Sequence, residues 1–334
     1  MRENTLGVAI VGCGGIGQKR AKVLGAARLV ACADIVLERA HRLAQTFPGA
    51  IAVSDWHEIL KRDDVDIVIV STFNNILAEV TREVVEAGKH VLVEKPAARN
   101  TRELQPIVKA VQRTGKKVRV GFNHRYHPAF LKARELFESG VLGKLMFIRG
   151  RYGHGGRIGY EKEWRADPAL SGGGELIDQG VHLIDLARWF LGDFSEVKGF
   201  AHTYFWNMAV DDNAFMLLKT PLQQVAFLHV SCTEWKNLFS FEIYGRHAKL
   251  HIEGLGGSYG QERLTYYRML PKMGPPETTI WEYPMDDNSW QIEFDEFVED
   301  IKLGRIPAAN LNDALVALRV IEEIYTESGY DYYS

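Results

Sequence analysis

The sequence predicts an α/β protein with two domains, a doubly wound parallel sheet followed by an α+β domain built on a mostly antiparallel sheet. Over the first 122 residues, near-continuous apolar runs alternate with helical stretches, which is typical of parallel strands covered on both faces. After residue 123 the runs are longer, alternate apolar with polar residues and are joined by short turns, which indicates antiparallel strands. We therefore place the two domains at 1–122 and 123–334.

The first domain is expected to hold strands and helices in strict alternation. The predicted strands are 6–12, 27–34, 66–72, 89–95 and 116–122, and the predicted helices are 17–26, 36–47, 76–88 and 101–115. Thr101 is a candidate N-cap and Gly115 a candidate C-cap of the last of these helices. The alternation implies right-handed crossovers between parallel strands.

The second domain is expected to open with a helix and continue with strands. The predicted helices are 127–140, about 175–191, 288–303 and 311–327, and the predicted strands are 144–152, 195–206, 213–220, 223–232, 238–245, 247–254 and 262–270. One face of such a sheet needs cover. A homodimer or homotetramer built through this sheet provides it, and the last two helices are the alternative.

Composition excludes several classes of function. Forty basic and 43 acidic residues give a formal net charge of -3, so the basic excess of a nucleic-acid-binding protein is absent. No run reaches the roughly 18 apolar residues of a membrane helix. Cys13, Cys32 and Cys232 lie in or beside apolar runs, and no secretory signal pattern is present. We expect a cytoplasmic protein with reduced thiols and no nucleic-acid or membrane partner.

A glycine-rich segment, Gly-Cys-Gly-Gly-Ile-Gly at 12–17, follows the first predicted strand and opens the first helix. Gly12 allows a tight turn, Gly14 lets a pyrophosphate approach the backbone, and Gly17 lets the helix pack close to the strand. The amides at the start of that helix favour an anion. The pattern predicts a dinucleotide site, the alternative being a glycine-rich turn that binds nothing.

Asp34 bears on the choice of cofactor. It ends the second strand at the spacing of about 20 residues expected for the acid that binds the ribose. A carboxylate accepts hydrogen bonds from the ribose hydroxyls and repels a 2′-phosphate, and the next residue is Ile35 rather than arginine. NAD is therefore favoured over NADP, although Arg39, one helical turn further on, can moderate the preference.

Two further segments carry groups suited to catalysis. Glu94-Lys95-Pro96 ends a strand at the carboxyl edge of the sheet, where ligands bind in open α/β sheets, and Pro96 keeps Lys95 extended. In 171–185, three glycines precede Asp178 and His182, which share one face if the segment is helical. The alternatives are a surface lysine, a core histidine and a hydrogen bond within one helix.

Together these motifs resemble the glucose-fructose oxidoreductase/inositol dehydrogenase (Gfo/Idh/MocA) family over essentially the whole chain. Asn123, Arg125 and Pro128, and the Trp-Arg-Ala-Asp segment at 164–167, add to the resemblance. It implies a Rossmann domain and a second domain with an open, mostly antiparallel sheet. It also implies nicotinamide-dependent oxidation or reduction of a sugar, a cyclitol or a related secondary alcohol.

The resemblance places Lys95, Asp178 and His182 at the family's catalytic positions. The cofactor contacts that it implies are Gly12, Gly14, Gly15, Ile16, Gly17, Asp34, Ser71, Thr72, Asn74, Glu94, Lys95 and Asn123. The chain departs from the family pattern at Phe73 and Leu77, where proline and histidine are common. That departure concerns the rim of the nicotinamide and substrate site rather than the reaction class.

An acid–base mechanism follows from these positions. An imidazole titrates near neutral pH, so His182 is assigned as the base in oxidation and the acid in reduction. Lys95 is expected to bind the same substrate oxygen and stabilise its negative charge. Asp178 is expected to hold a neighbouring hydroxyl or to orient His182. The roles can be exchanged, because a lysine with a lowered pKa can itself be the base.

The glycine-rich stretch 151–174 is expected to be a long active-site loop. The substrate-binding candidates are Lys95, Asp178 and His182 together with Arg125, Tyr152, His154, Arg157, Trp164 and Arg165. The arginines and aromatic residues suit a phosphorylated or nucleotide-linked sugar. Alternatively, Arg157 and Arg165 are surface or salt-bridging residues.

Three other functions stay open. Asp178, His182 and Asp185 have helical ligand spacing, but no His-x-x-x-His motif or cysteine cluster accompanies them, so no metal is expected. A non-catalytic NAD-binding regulator would be expected to lack the three catalytic residues, and this chain retains them. A glycosidase that uses bound NAD transiently would release no NADH with turnover.

Overall fold

The computed structural model describes residues 5–330 and divides them into two compact units. The first unit comprises the residues up to Phe122 together with Trp290–Leu315, and the second comprises Asn123–Ser289 and the residues from Val316 onward. Within the predicted domain 123–334, Trp290–Leu315 groups with the first unit.

The first unit is built on a parallel sheet. Its strands are β1 (Gly7–Val11), β2 (Arg28–Ala33), β3 (Ile51–Val53), β4 (Ile67–Val70), β5 (His90–Glu94) and β6 (Val118–Gly121). They are ordered β3-β2-β1-β4-β5-β6, and every neighbouring pair is parallel. This order joins two mononucleotide-binding halves at β1 and β4, so the predicted doubly wound Rossmann sheet is confirmed. The sequence pattern did not predict β3, a three-residue edge strand.

Helices connect these strands. They are α1 (Gly15–Ala21), α2 (Leu37–Ala44), α3 (His57–Leu60), α4 (Asn74–Glu86) and α5 (Thr101–Thr114). The N-cap of α5 is Asn100 rather than Thr101, because the Asn100 side chain accepts the Glu103 amide at 3.0 Å. Gly115 ends the helix in the left-handed conformation, as predicted.

The second unit is built on a larger sheet. Its strands are β7 (Leu145–Gly153), β8 (Glu196–His202), β9 (Asn213–Lys219), β10 (Val225–Ser231), β11 (Leu238–Gly245), β12 (Ala248–Glu253), β13 (Glu262–Arg268) and β14 (Glu277–Tyr283). Their order is β14-β13-β12-β11-β7-β10-β9-β8. The β7–β10 pair is parallel and the other neighbours are antiparallel, which confirms the open, mostly antiparallel sheet. The sequence pattern missed β14.

The remaining helices are α6 (Pro128–Glu138), α7 (Pro168–Ser171), α8 (Val181–Leu191), α9 (Ser289–Leu303) and α10 (Leu311–Glu327). In the second unit, α8 packs against β7 and β10, and α6 packs against β12, β13 and β14. The expected helix over 175–191 is in fact two segments. Leu176–Gly180 forms a π-helical turn, and α8 follows it.

The segment Trp290–Leu315 joins the first unit through buried side chains and through polar contacts. Phe294 and Phe297 are fully buried in the core that also contains Val8 of β1. Arg119 on β6 is buried and binds Asp300 at 2.6 Å. The Val120 amide donates to the Ala309 carbonyl at 2.8 Å, which extends the edge of the sheet. These contacts explain why the segment does not group with its neighbours in sequence.

Membrane insertion has no support from the helices. A spanning helix needs about 20 consecutive, mainly apolar residues. Over residues 5–330, none of the helices is long and apolar enough to cross a bilayer.

Candidate active site

The glycine loop of the first unit needs glycine at two positions for steric reasons. Gly12 has a φ of 95°, and a Cβ atom there would lie 2.5 Å from the Ser71 carbonyl oxygen. A Cβ atom on Gly17 would lie 2.1 Å from the Gly12 carbonyl oxygen. The Ser71 hydroxyl donates to that same carbonyl at 2.8 Å, so the end of β4 holds the loop in place.

Gly14 and Gly15 serve a different purpose, because no atom lies within 4 Å of a Cβ atom built on either residue. The backbone is therefore open on this side, at the point where Gly15 and Ile16 begin α1. Free amides beside open space at a helix start suit a phosphate group. The residues present thus fit the pyrophosphate of a dinucleotide.

Asp34 ties this loop to the end of β2. One carboxylate oxygen accepts the Cys13 amide at 2.8 Å, and the other accepts the Val36 amide at 2.9 Å. Each oxygen retains a second lone pair, since a carboxylate can accept about four hydrogen bonds. The carboxylate is therefore oriented by the backbone and can still accept hydroxyl groups, as the ribose role requires.

Glu94, a predicted cofactor contact, binds a buried arginine of the same unit. Its carboxylate accepts the Arg20 Nε–H group at 2.7 Å. Arg20 is fully buried and also binds Glu293 at 2.5 Å. Burial alone would lower the pKa of Arg20, but Glu293 and Glu94 outweigh burial and raise it. Glu94 therefore anchors the end of β5.

The other strand-end candidates lie at the carboxyl edge of the parallel sheet. Lys95 follows β5 directly and is half-buried, and the Lys95-Pro96 peptide is cis. Thr72 follows β4, and Asn74 is buried in the first turn of α4. This edge is where ligands bind in open α/β sheets, so the first unit collects its predicted groups on the expected side.

In the second unit, the triple glycine is packed against Asp211. A Cβ atom on Gly174 would lie 1.9 Å from the Asp211 carbonyl oxygen. The Asp211 carboxylate accepts the Gly174 and Leu176 amides, both at 2.8 Å, and the Tyr325 hydroxyl at 2.7 Å. Burial raises the pKa of Asp211 to about 6. This network fixes the start of the segment that carries the candidate catalytic residues.

Asp178 lies in the π-helical turn, a feature that is frequent at functional sites. Its carboxylate accepts the Arg165 Nε–H group at 2.9 Å. Attraction to Asp178 raises the pKa of Arg165, which is one of the predicted substrate-binding residues. The Arg165 guanidinium also lies 4.7 Å from the centre of the Trp164 ring. Asp178, Arg165 and Trp164 thus form one cluster.

His182 is 4% exposed in the first turn of α8. Its ring stacks on that of His124, with the ring centres 3.7 Å apart and the planes 15° apart. Tyr152 approaches the same ring edge-on at 6.4 Å. Burial raises the pKa of Tyr152 well above its ordinary value, and the neighbouring Tyr259 raises it further. Tyr152 is therefore a neutral hydroxyl beside the histidine pair.

Two of the remaining substrate candidates bind carboxylates of the second unit. Arg125 is buried and binds Asp185 through Nε at 2.8 Å and through Nη2 at 2.5 Å. Arg157 is exposed and binds Glu163 at 2.6 Å. Arg165 is bound to Asp178, so each of these three arginines is paired with a carboxylate of its own unit. The predicted Asn123 donates its side-chain amide to the Ser289 hydroxyl at 3.0 Å.

Sequence reasoning missed Glu175, which follows the triple glycine directly. It is 2% exposed, and its carboxylate lies 3.6 Å from the His154 Nε2 atom. Burial raises the pKa of Glu175. Burial alone would lower the pKa of His154, but Glu175 outweighs it and raises that pKa. The sequence signal that could have identified Glu175 is its position between the three glycines and a buried apolar run.

The described residues offer no metal-binding group. Between residues 5 and 330, no three His, Cys, Asp or Glu side chains are placed so that they could hold a metal ion. Asp178, His182 and Asp185, the set considered from spacing, are included in that statement. Asp178 and Asp185 instead bind Arg165 and Arg125.

Two family models match the chain. One, described as an oxidoreductase family with an NAD-binding Rossmann fold, matches residues 6–122. The other, described as the GFO/IDH/MocA C-terminal domain, matches residues 130–251. The matches lie on either side of the boundary between the two units.

Curated relatives include sugar and cyclitol dehydrogenases. Levoglucosan dehydrogenase of Pseudarthrobacter phenanthrenivorans is 33% identical over 177 residues, which is 50% of this chain and 43% of that protein. An inositol 2-dehydrogenase of Gluconacetobacter diazotrophicus is 30% identical over 56% of this chain and 55% of that protein. The matched part thus spans about half the length of these two relatives. The scyllo-inositol 2-dehydrogenase (NAD(+)) of Bacillus subtilis is 25% identical over 95% of this chain and 92% of that protein.

Solved structures show the same architecture. Levoglucosan dehydrogenase in complex with NADH and levoglucosan superposes with a TM-score of 0.88 at 23% identity, over 97% of this chain and 98% of that chain. Aldose-aldose oxidoreductase from Caulobacter crescentus, complexed with glycerol, superposes with a TM-score of 0.86 at 26% identity, over 98% of both chains. With both of its units matched by the family models, the chain belongs to the Gfo/Idh/MocA family of NAD-binding oxidoreductases.

Proposed function

We propose that the protein is an NAD-dependent dehydrogenase that interconverts a secondary alcohol and a ketone on a sugar or a cyclitol. The observation that carries the proposal is the open backbone at Gly14 and Gly15 beside the oriented carboxylate of Asp34. It occurs in a chain that keeps Lys95, Asp178 and His182 at the family's catalytic positions. NAD, when bound, supplies the chemistry of hydride acceptance.

The chain's own residues hold the cofactor and move the proton. The backbone at Gly14 and Gly15 receives the pyrophosphate, and Asp34 accepts the ribose hydroxyls. His182 takes the hydroxyl proton in oxidation and returns it in reduction. Lys95 stabilises negative charge on the substrate. Asp178, held by Arg165, binds a neighbouring hydroxyl or orients His182.

The charges of the second unit favour a neutral substrate. Arg157 and Arg165, considered from the sequence as phosphate contacts or as salt-bridging residues, are bound to Glu163 and Asp178, and Arg125 is bound to Asp185. These pairs neutralise much of the charge that a phosphate would meet, and the Arg125–Asp185 pair is buried. We therefore propose a free sugar, a glycoside or a cyclitol in place of a nucleotide-linked sugar.

A substrate screen tests the proposed function. The purified protein is incubated with NAD or NADP and with free sugars, inositols, sugar phosphates and nucleotide sugars, and the absorbance of the reduced cofactor is followed. We expect NADH to form with a neutral polyol. Release of an aglycone without net NADH would instead identify the oxidation–elimination glycosidase. Binding of NAD without any turnover would identify the regulator.

Changing Asp34 to Ser is expected to lower kcat/KM for NAD by about 10- to 100-fold, because a hydrogen bond to a charged acceptor contributes about 1.5–3 kcal/mol. The ratio of NADP to NAD activity should rise, because the charge that repels the 2′-phosphate is lost. Asp34→Asn is the matched variant, since it removes the charge but keeps an oxygen for a backbone amide. An unchanged cofactor ratio in both variants would contradict the role of Asp34.

We also propose that the protein works in the cytoplasm as a homodimer or homotetramer. Cys13, Cys32 and Cys232 are buried free thiols, which suits a reducing compartment. The outer face of the second sheet exposes apolar side chains such as Leu217 and Phe227, and Phe227 is half exposed. An apolar face of this kind favours association of two copies.

Phe227→Glu is expected to convert the oligomer to monomers, because a carboxylate in the middle of the apolar face must be desolvated on association. The molar mass from light scattering after size exclusion should fall to that of one chain. Ile158→Glu is the control, since Ile158 is fully exposed in the second unit but lies outside the strands of this sheet. A Phe227→Glu protein with the wild-type oligomeric mass would rule out this face as the interface.

A further inference from the structure

His124, whose ring stacks on that of His182, has no role in the mechanism derived above. His124 lies in the short 3₁₀ helix Asn123–Tyr126, and His182 lies in the first turn of α8. Both are buried, and their rings are face to face at 3.7 Å. This separation is van der Waals contact over the whole ring. One face of the candidate base is therefore covered by a second imidazole.

His124 is itself held in place. Its Nδ1 atom is 3.3 Å from the side-chain oxygen of Asn123, whose amide donates to Ser289. An amide oxygen only accepts hydrogen bonds, so this contact places the hydrogen of a neutral His124 on Nδ1. The His127 ring meets His124 edge-on at 5.6 Å and is fixed by Glu262 at 2.9 Å. These contacts hold the His124 ring in one orientation.

The other groups around His182 are arranged as pairs of opposite charge or are apolar. On its own segment, Asp178 binds Arg165 and Asp185 binds Arg125. From β7 comes the neutral Tyr152, with Tyr259 beside it. At the start of the segment, Glu175 lies against His154. From β10, the buried side chains are Ala226, Leu228 and Val230.

We propose that His124 is a positioning residue for His182, fixing the plane of the catalytic imidazole and limiting the stacked pair to one proton. Two imidazolium rings in contact would repel each other, so a proton on one disfavours a proton on the other. In the proposed function His182 exchanges the proton with the substrate, so the single proton of the pair is expected on His182 while His124 stays neutral. This inference rests on the proposed function, in which His182 is the acid–base group.

Turnover tests the positioning role. His124→Ala is expected to lower kcat by up to about 10²-fold, the effect of a small misplacement of a catalytic group. The KM for NAD should change less than kcat, because the glycine loop and Asp34 lie in the first unit. His124→Phe restores a flat ring and should recover kcat to within a few-fold of the wild type. His251→Ala, which removes an imidazole bound to Ser240 elsewhere in the second unit, is the control.

An NMR titration tests whether the His124–His182 pair binds only one proton, and it does not depend on turnover. The ring ¹³Cε1 signals of histidine are followed from about pH 8 to about pH 5, which brackets the ordinary imidazole pKa, and His124→Phe and His182→Phe provide the assignments. We expect the His182 signal to titrate while the His124 signal stays that of a neutral ring.

Two results would overturn the inference. One is full and independent titration of both rings, and the other is wild-type turnover by a correctly folded His124→Ala protein, with folding checked by circular dichroism. If the wild-type protein turns over no substrate, the proposed function fails, and the NMR titration still decides whether the pair holds one proton or two.

Discussion

A His182→Ala protein is expected to lose about 10²- to 10⁴-fold in kcat, the range that a positioned acid–base group contributes. The side chain is buried in the first turn of α8 beside Tyr152 and His124, so water has little access to replace it. Affinity for NAD should be retained, because the glycine loop and Asp34 belong to the first unit. Initial rates of NADH formation between about pH 6 and pH 10, with NAD binding followed by fluorescence, measure both quantities.

The pH dependence separates His182 from Lys95 as the base. In the wild type, activity should fall at acid pH as the imidazole takes up a proton. In His182→Ala this acid limb should disappear and the residual rate should rise with hydroxide concentration. Lys95→Met is the companion variant, because it removes the ammonium and keeps most of the side-chain volume. Wild-type turnover by His182→Ala at every pH would exclude the imidazole as base.

Arg20→Met is expected to lower the free energy of unfolding by about 3–5 kcal/mol, the cost of leaving a buried charge without its partner. Arg20 is fully buried and binds both Glu94 and Glu293, and Glu293 is itself fully buried. Methionine keeps the chain length but removes the positive charge. Urea unfolding followed by circular dichroism measures the change as a shift in the urea concentration at the midpoint of unfolding.

The sign of the pH dependence follows from Glu293. Burial raises the pKa of Glu293 and Arg20 opposes that rise, so the pKa climbs further when Arg20 is removed. A carboxyl group whose pKa is higher in the folded state stabilises below its unfolded pKa of about 4.3, and this contribution is lost as pH rises through the folded value. The loss of unfolding free energy caused by Arg20→Met should therefore be smallest at acid pH.

Two further variants control this result. Arg20→Met combined with Glu293→Gln removes the buried negative charge and should recover part of the lost stability. Lys302→Met breaks an exposed pair with Glu299 and should cost less than about 1 kcal/mol. If Arg20→Met unfolds at the wild-type urea concentration, the buried network contributes nothing to stability.

The fold was predictable wherever burial imposes a pattern on the sequence. Parallel strands such as β4 and β5 are apolar throughout because both of their faces are buried. The missed strands lack that signal, since β3 has three residues and the side chains of β14 are largely exposed. The unit in which α9 packs could not be predicted either, because an apolar helix face does not identify the core against which it packs.

The candidate site was predictable in its residues and only partly in their partners. The glycine loop and Asp34 follow from local spacing, and the open space at Gly14 agrees with that interpretation. Arg125, by contrast, looked like a substrate contact because its partner Asp185 lies 60 residues away in sequence. Partners so distant in the chain come together only through tertiary packing, as His124 and His182 also show.

The return of Trp290–Leu315 to the first unit has a consequence for biosynthesis. A ribosome releases strands β1 to β6 early, but Phe294 and Phe297, which complete their core, emerge only after Asn123–Ser289 of the second unit has been made. The nascent nucleotide-binding half must therefore wait with an unfilled apolar surface, the kind of intermediate on which chaperones act. The first unit therefore completes its core only after Trp290–Leu315 has been synthesised.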